Sequence, residues 1–144
     1  MNSNQIIIEL STISNFIGCF ASDQLPDTII EGSYVINFDP SYKSGTHWVA
    51  IIIKHNIIEY FDSLSLKFIP KSIKLFIVNS KKKFVHFNNR AIQKFSTLTC
   101  GIYVIVLIKL SSLYNISLVD FMTIFKDLDK NSCEELVCKL FKLL

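Results

Sequence analysis

The chain has 144 residues, half of them hydrophobic and 19% charged, with 15 Lys and Arg against 12 Asp and Glu for a formal charge of +3. That length gives one domain with a real core, and that balance excludes a disordered or collagen-like chain. The N-terminus lacks a basic stretch followed by an apolar core, and Lys interrupts the longest apolar runs, so neither a secretory leader nor a membrane span is expected.

In chain order, Met1 to Gln5 is polar and reads as loose, or as the top of a short strand made by Ile6, Ile7 and Ile8. Ser11 to Phe20 reads as a helix or turn, because Ile13, Phe16, Ile17 and Phe20 fall at the spacing of one buried face. Pro26 makes Ser22 to Asp27 a loop. Gly32 to Asp39 reads as a strand ended by Pro40, and a loop of turn-forming residues runs on to Thr46. Trp48 to Ile53 is almost wholly apolar and suits a strand buried on both faces. Lys54, His55 and Asn56 make a hairpin turn, and Ile57 to Phe61 returns beside it. That hairpin places His47 and Asp62 near the same end of two adjacent antiparallel strands.

Pro70 is expected to start a helix through about Ile77, with Ile73, Phe76 and Ile77 on one face. Lys82 to Phe87 alternates like a strand, and Asn88 to Thr99 is a long loop with a short strand allowed near Ile92. Three helices close the chain: Gly101 to about Leu113, Ser117 to about Leu128, and Ser132 to Leu143. The first is apolar enough to be buried on most sides, and the last carries Ser132 and Glu135 as a capping box. The order is α/β in front with helices behind.

Cys19, Cys100, Cys133 and Cys138 read as free thiols, and their spacing offers neither paired CxxC units nor interleaved His, so no metal site is expected. Cys133 and Cys138 suit core-filling positions on the last helix. Cys100 is different, since it follows a polar loop, precedes Gly101 and opens an apolar helix. Unpaired N–H groups and the dipole at a helix N-terminus favour a thiolate, although a buried core thiol is the plainer reading.

His47 is the natural base at neutral pH, with Trp48 beside it to exclude water; a loop histidine is the alternative. Asp62 is either the carboxylate that orients His47 or a strand-ending Asx turn. Asp39 is a rival orienter, but Pro40 after it marks a turn former, while His55 lies too far along the sheet and His86 reads as a surface or half-buried strand residue. Gln93 is either a solvated loop residue or an amide donor to an oxyanion together with the Cys100 N–H, and sequence physics does not choose between them.

Lys67, Lys71, Lys74, Lys81, Lys82, Lys83 and Arg90 fall in a stretch without Asp or Glu, a local positive field that could meet phosphate, an acidic partner or only water. Phe68, Phe76, Phe84 and Phe87 within it read as core rather than as nucleic-acid stacking residues.

The order Gly45-Thr46-His47-Trp48, then Tyr60-Phe61-Asp62, then Gln93, then Cys100-Gly101 resembles the adenovirus endopeptidase (adenain) family, of the cysteine protease clan that also holds the SUMO- and NEDD8-specific proteases. Phe16 to Phe20 with Leu25-Pro26 is similar to an N-terminal element in adenain-like proteins of large DNA viruses and Polinton or Maverick transposons. The resemblance implies a single α+β protease domain over residues 1–144, in which a mixed, mainly antiparallel sheet packs against the helix opened by the nucleophile. It implies Cys100 as nucleophile, His47 as base, Asp62 as orienter and Gln93 as oxyanion donor, with Trp48, Gly101, Gly45 and Thr46 near the substrate. Viral precursor polypeptides cut near Gly are the implied substrates, and a monomer in the virion, nucleus or cytoplasm is implied. Adenain also takes DNA and a peptide activator, so the basic stretch could contact DNA. An activating peptide would have to bind non-covalently, because Lys81-Lys82-Lys83 stands where adenain carries the cysteine it uses for that disulfide. Deconjugation of ubiquitin-like tails, or a non-catalytic virion or DNA-binding role on the same fold, are the alternatives.

Overall fold

The computed structural model describes all 144 residues. The sheet grows outward from the apolar hairpin. Trp48–Lys54 (β3) and Ile57–Phe61 (β4) pair antiparallel, with Ala50 opposite Phe61 and Ile53 opposite Ile58. Gly32–Asn37 (β2) lies antiparallel on the other side of β3. The outer strands, Phe16–Phe20 (β1) beside β2 and Phe84–Phe87 (β5) beside β4, run parallel to their neighbours. The five-stranded sheet is therefore mixed, with an antiparallel centre and parallel edges in the order β1-β2-β3-β4-β5.

Alternation along β3 splits the core in two. Ala50 and Ile52 face the larger cluster, built with Cys100–Tyr114 (α3), Leu118–Ile124 (α4), Lys130–Leu143 (α5) and the N-terminal helix Ser3–Leu10 (α1). Val49, Ile51 and Ile53 face the smaller one, covered by Ile73, Phe76 and Ile77 of Lys71–Asn79 (α2). α3 is the buried axis, with Tyr103 to Ile108 fully enclosed. Its one charge, Lys109, is satisfied by Glu9 of α1 at 3.1 Å. No single helix is long and apolar enough to cross a membrane.

Several expectations need correction. Ile6–Ile8 is helical, not a strand, because Asn2 and Gln5 form a reciprocal capping box that nucleates α1 and turns Ile6 and Leu10 inward. Ser11 to Phe20 is not a helix: Phe16 to Phe20 pairs with β2 as an edge strand, so tertiary pairing outweighs helical spacing. No strand forms at Ile92, since the N–H groups of Ile92 and Gln93 both donate to the Ser63 carbonyl. The last helix starts at Lys130, not Ser132; Asp129 is its cap and accepts the Ser132 N–H at 2.8 Å. Capping boxes lie instead on α1 and on α4, the latter between Ser117 and Asp120. Of the four basic-stretch phenylalanines only Phe76 is core: Phe84 and Phe87 are exposed because β5 is an edge with little to cover it, and Phe68 is exposed in the loop before α2.

Candidate active site

The hairpin register brings the base and its orienter together. His47 directly precedes β3 and Asp62 directly follows β4, at the same sheet end. The His47 Nε2 lies 2.6 Å from Asp62 Oδ1, and both side chains are buried. Two backbone N–H groups, from Leu64 at 2.8 Å and Leu66 at 2.9 Å, also donate to the Asp62 carboxylate. Asp62 is thus an Asx turn and an orienter at once. Its backbone is bracketed by Asn88, whose Oδ1 accepts the Asp62 N–H and whose Nδ2 donates to the Asp62 carbonyl. Phe38 packs edge-on against the imidazole, ring centres 5.1 Å apart. Asp39, the rival orienter, accepts the Thr46 hydroxyl at 2.8 Å and stays in its exposed turn.

With Nε2 committed to Asp62, Nδ1 is left for Cys100, the first residue of α3. Burial works against charge on both members of this pair, but their mutual attraction prevails. Against burial, the Asp62 hydrogen bond and the Cys100 sulfur raise the His47 pKa from 6.5 to about 9. Against burial, hydrogen bonds from His47 and from the Trp48 and Gly101 backbones hold the Cys100 thiol below its ordinary value. Both shifts run in the direction that favours a thiolate–imidazolium pair. Cys19 is the contrast, pushed up to about 12 by burial with nothing to oppose it, and burial also raises Cys133.

Gln93 is buried, not solvated. Its Nε2 donates to the Thr97 carbonyl at 2.9 Å and its Oε1 accepts the Ser63 hydroxyl at 2.5 Å. Tyr103 of α3 donates its hydroxyl to the Ile92 carbonyl just before it. The loop from Lys94 to Thr99 is tied to α5 by one carboxylate, Glu134, which accepts the Lys94 N–H and the Thr97 and Thr99 hydroxyls. Ser63, Asn88 and Glu134 escaped the sequence reading, since nothing in a linear pattern ties them to Asp62 or Cys100.

Trp48 donates its indole N–H to the Met1 carbonyl at 3.0 Å, and a side chain on Gly101 would press on Met1 Sδ at 3.1 Å. Gly45 adopts φ +81°, and a Cβ there would lie 2.8 Å from the Asn37 amide, so only glycine fits. Gly45, Trp48, Cys19 and Met1 line a cleft of about 400 Å³. Thr46 lies in the same loop, its hydroxyl held by Asp39.

Several of the basic residues are drawn into local contacts. Lys82 pairs with Glu31 at 3.2 Å and also reaches the His55 carbonyl, Lys83 lies over the Phe84 ring, and Arg90 donates to the Phe125 carbonyl. Lys71 and Lys74 ride on α2, with Lys67 before it and Lys81 after it.

No protein-family model matches the sequence, and no curated protein matches it. Solved structures do match by shape. ChlaDub1 from Chlamydia trachomatis superposes with a TM-score of 0.57 at 17% identity, over 77% of this chain and 59% of that one. The ASFV pS273R protease superposes with a TM-score of 0.53 at 18% identity, over 83% of this chain and 60% of that one. The chain thus spans about three fifths of the length of either structure. A looser match, to the SUMO protease Ulp1 at TM-score 0.48 and 15% identity over 98% and 78% of the two chains, adds nothing to the assignment. In its mixed sheet and buried central helix, this chain shares the fold of ChlaDub1 and of the ASFV pS273R protease.

Proposed function

We propose that the chain is a cysteine endopeptidase that cuts precursor polypeptides of a DNA virus or virus-like element at Gly-containing sites. The observation that carries this reading is the buried His47–Asp62 pair with Cys100 beside it, at the N-terminus of a buried helix. The fold shared with a protein described as a protease, pS273R, supports it.

In the reaction, the Cys100 thiolate attacks the scissile carbonyl carbon. The carbonyl oxygen takes the negative charge and meets the Cys100 backbone N–H and the Gln93 amide. His47, held as imidazolium by Asp62, gives its proton to the departing amine, leaving a thioester on Cys100. Neutral His47 then takes a proton from water, whose oxygen attacks the thioester. The acid product leaves and the thiolate–imidazolium pair returns.

The test is turnover of peptides carrying Gly-Gly and Gly-Ala steps by the purified chain and by Cys100→Ala. The expected result is cleavage by the first, none by the second, and nearly superimposable thermal unfolding curves. Cleavage that persists in Cys100→Ala removes the nucleophile assignment. Exclusive cleavage of ubiquitin-like fusions, with no action on short peptides, moves the substrate class to deconjugation.

A further inference from the structure

The loop that carries Gln93 to Cys100 is held from two sides by residues outside the catalytic relay. On the sheet side, Ser63 directly follows Asp62. Its carbonyl accepts the Ile92 and Gln93 N–H groups at 2.9 and 3.0 Å, and its hydroxyl reaches Gln93 Oε1 at 2.5 Å. On the helix side, Glu134 of α5 accepts the Lys94 N–H at 3.2 Å, the Thr97 hydroxyl at 2.8 Å and the Thr99 hydroxyl at 2.7 Å.

These two anchors meet at the Gln93 amide. The Thr97 carbonyl can only accept, so the amide atom 2.9 Å from it must be nitrogen. That fixes Oε1 toward Ser63, whose hydroxyl must then donate. The amide therefore has one orientation, with one N–H on Thr97 and the second uncommitted. Glu134 contributes again at Thr99. A Thr in the N-cap position usually turns its hydroxyl onto the first N–H groups of the helix, but Thr99 makes no such cap and donates to Glu134 instead. The head of α3, where the Cys100 N–H lies, is left without a side-chain cap.

The geometry points to Ser63 and Glu134 as positioning residues for oxyanion stabilisation, Ser63 by fixing which way the Gln93 amide faces and Glu134 by holding Thr97 and by keeping α3 uncapped. Neither touches the reacting atoms. The inference rests on the peptidase reading above and deepens it. It accounts for an acidic side chain on the last helix being bound to three separate points of one loop.

The experiment uses the full chain and four variants, Ser63→Ala, Glu134→Ala, Glu134→Gln and Gln93→Ala, with two readouts. The first is kcat and KM on a Gly-Gly peptide. The second is the rate at which iodoacetamide alkylates Cys100, a displacement of iodide by the thiolate that forms no oxyanion. Gln93→Ala sets the scale at a kcat loss of about 10²–10³. Ser63→Ala and Glu134→Ala are expected to lose about 10- to 100-fold in kcat, with KM and the alkylation rate within about twofold of the parent. Glu134→Gln keeps an acceptor for Lys94 and Thr97 and a donor that Thr99 can accept, so it is expected to recover most of the kcat.

Unchanged kcat in Ser63→Ala and Glu134→Ala overturns the inference and leaves the peptidase reading standing. Alkylation that falls in step with kcat also overturns it, because the damage would then lie in the thiolate–imidazolium pair or in the fold. Should Glu134→Ala fail to fold, Ser63→Ala, which removes a single oxygen, decides by itself. A parent chain that is alkylated at Cys100 but turns over no peptide overturns the peptidase reading, and the positioning role with it.

Discussion

At the scale of single residues, two burial penalties at the candidate site are opposed by one attraction. Isolated in the core, His47 would stay neutral and Cys100 would stay a thiol, as Cys19 does. Asp62, with the Cys100 sulfur beside it, tips the balance and raises the His47 pKa to about 9 against burial. The sign for activity follows. A raised histidine pKa keeps the acid for the leaving amine below that value, and turnover fails as pH rises through it. Asp62→Asn keeps the shape and removes the charge, so the basic limb of kcat/KM is expected to move to lower pH. A pH–rate profile of that variant checks this, and an unmoved basic limb would separate His47 from Asp62. The nearness of His47 and Asp62 was legible in the hairpin, whereas Cys100 was singled out by the resemblance, because its position alone left a core thiol as the plainer reading. Gln93 was legible as a candidate, but its burial and fixed amide were not. They depend on Ser63 and Thr97, partners that a linear pattern does not announce.

At the scale of elements Cys100 is only as well placed as α3. That helix is enclosed by the sheet and by α1, α4 and α5, so its position is set by packing, not by its own amphipathicity. Phe121 of α4 stacks edge-on against Phe61 at 5.4 Å and against Phe125 at 5.1 Å, linking the helices to the end of β4 just before Asp62. Phe121→Ala empties that contact and should cost about 3–5 kcal/mol, measured by denaturant unfolding. A loss below about 1 kcal/mol would show that the helices close over the gap. The hairpin and α3 were readable because apolar runs bounded by turn residues admit few other folds. β1 was misread because four apolar residues at helical spacing also fit a half-buried strand, and only pairing with β2 decides. α1 was misread because three consecutive isoleucines favour strand locally, while the Asn2–Gln5 capping box favours helix.

At the scale of the whole molecule the sheet serves as a frame that delivers chemistry at one end. The antiparallel centre supplies His47 and Asp62 there, and α3 meets them with Cys100. The flank bearing the lysines is a looser feature than the sequence suggested, since Lys82 and Arg90 are drawn into contacts of their own. Charge counted along the chain cannot reveal this, because Glu31 and the Phe125 carbonyl come from distant segments.

The thiolate–imidazolium pair is tested most directly by the pH dependence of Cys100 alkylation, followed cysteine by cysteine by mass spectrometry. The expected result is a Cys100 rate already at its plateau well below pH 9.0, the ordinary value for a thiol, with Cys19 and Cys133 unmodified on the same timescale. A Cys100 rate that climbs only around that ordinary value or above it would contradict it.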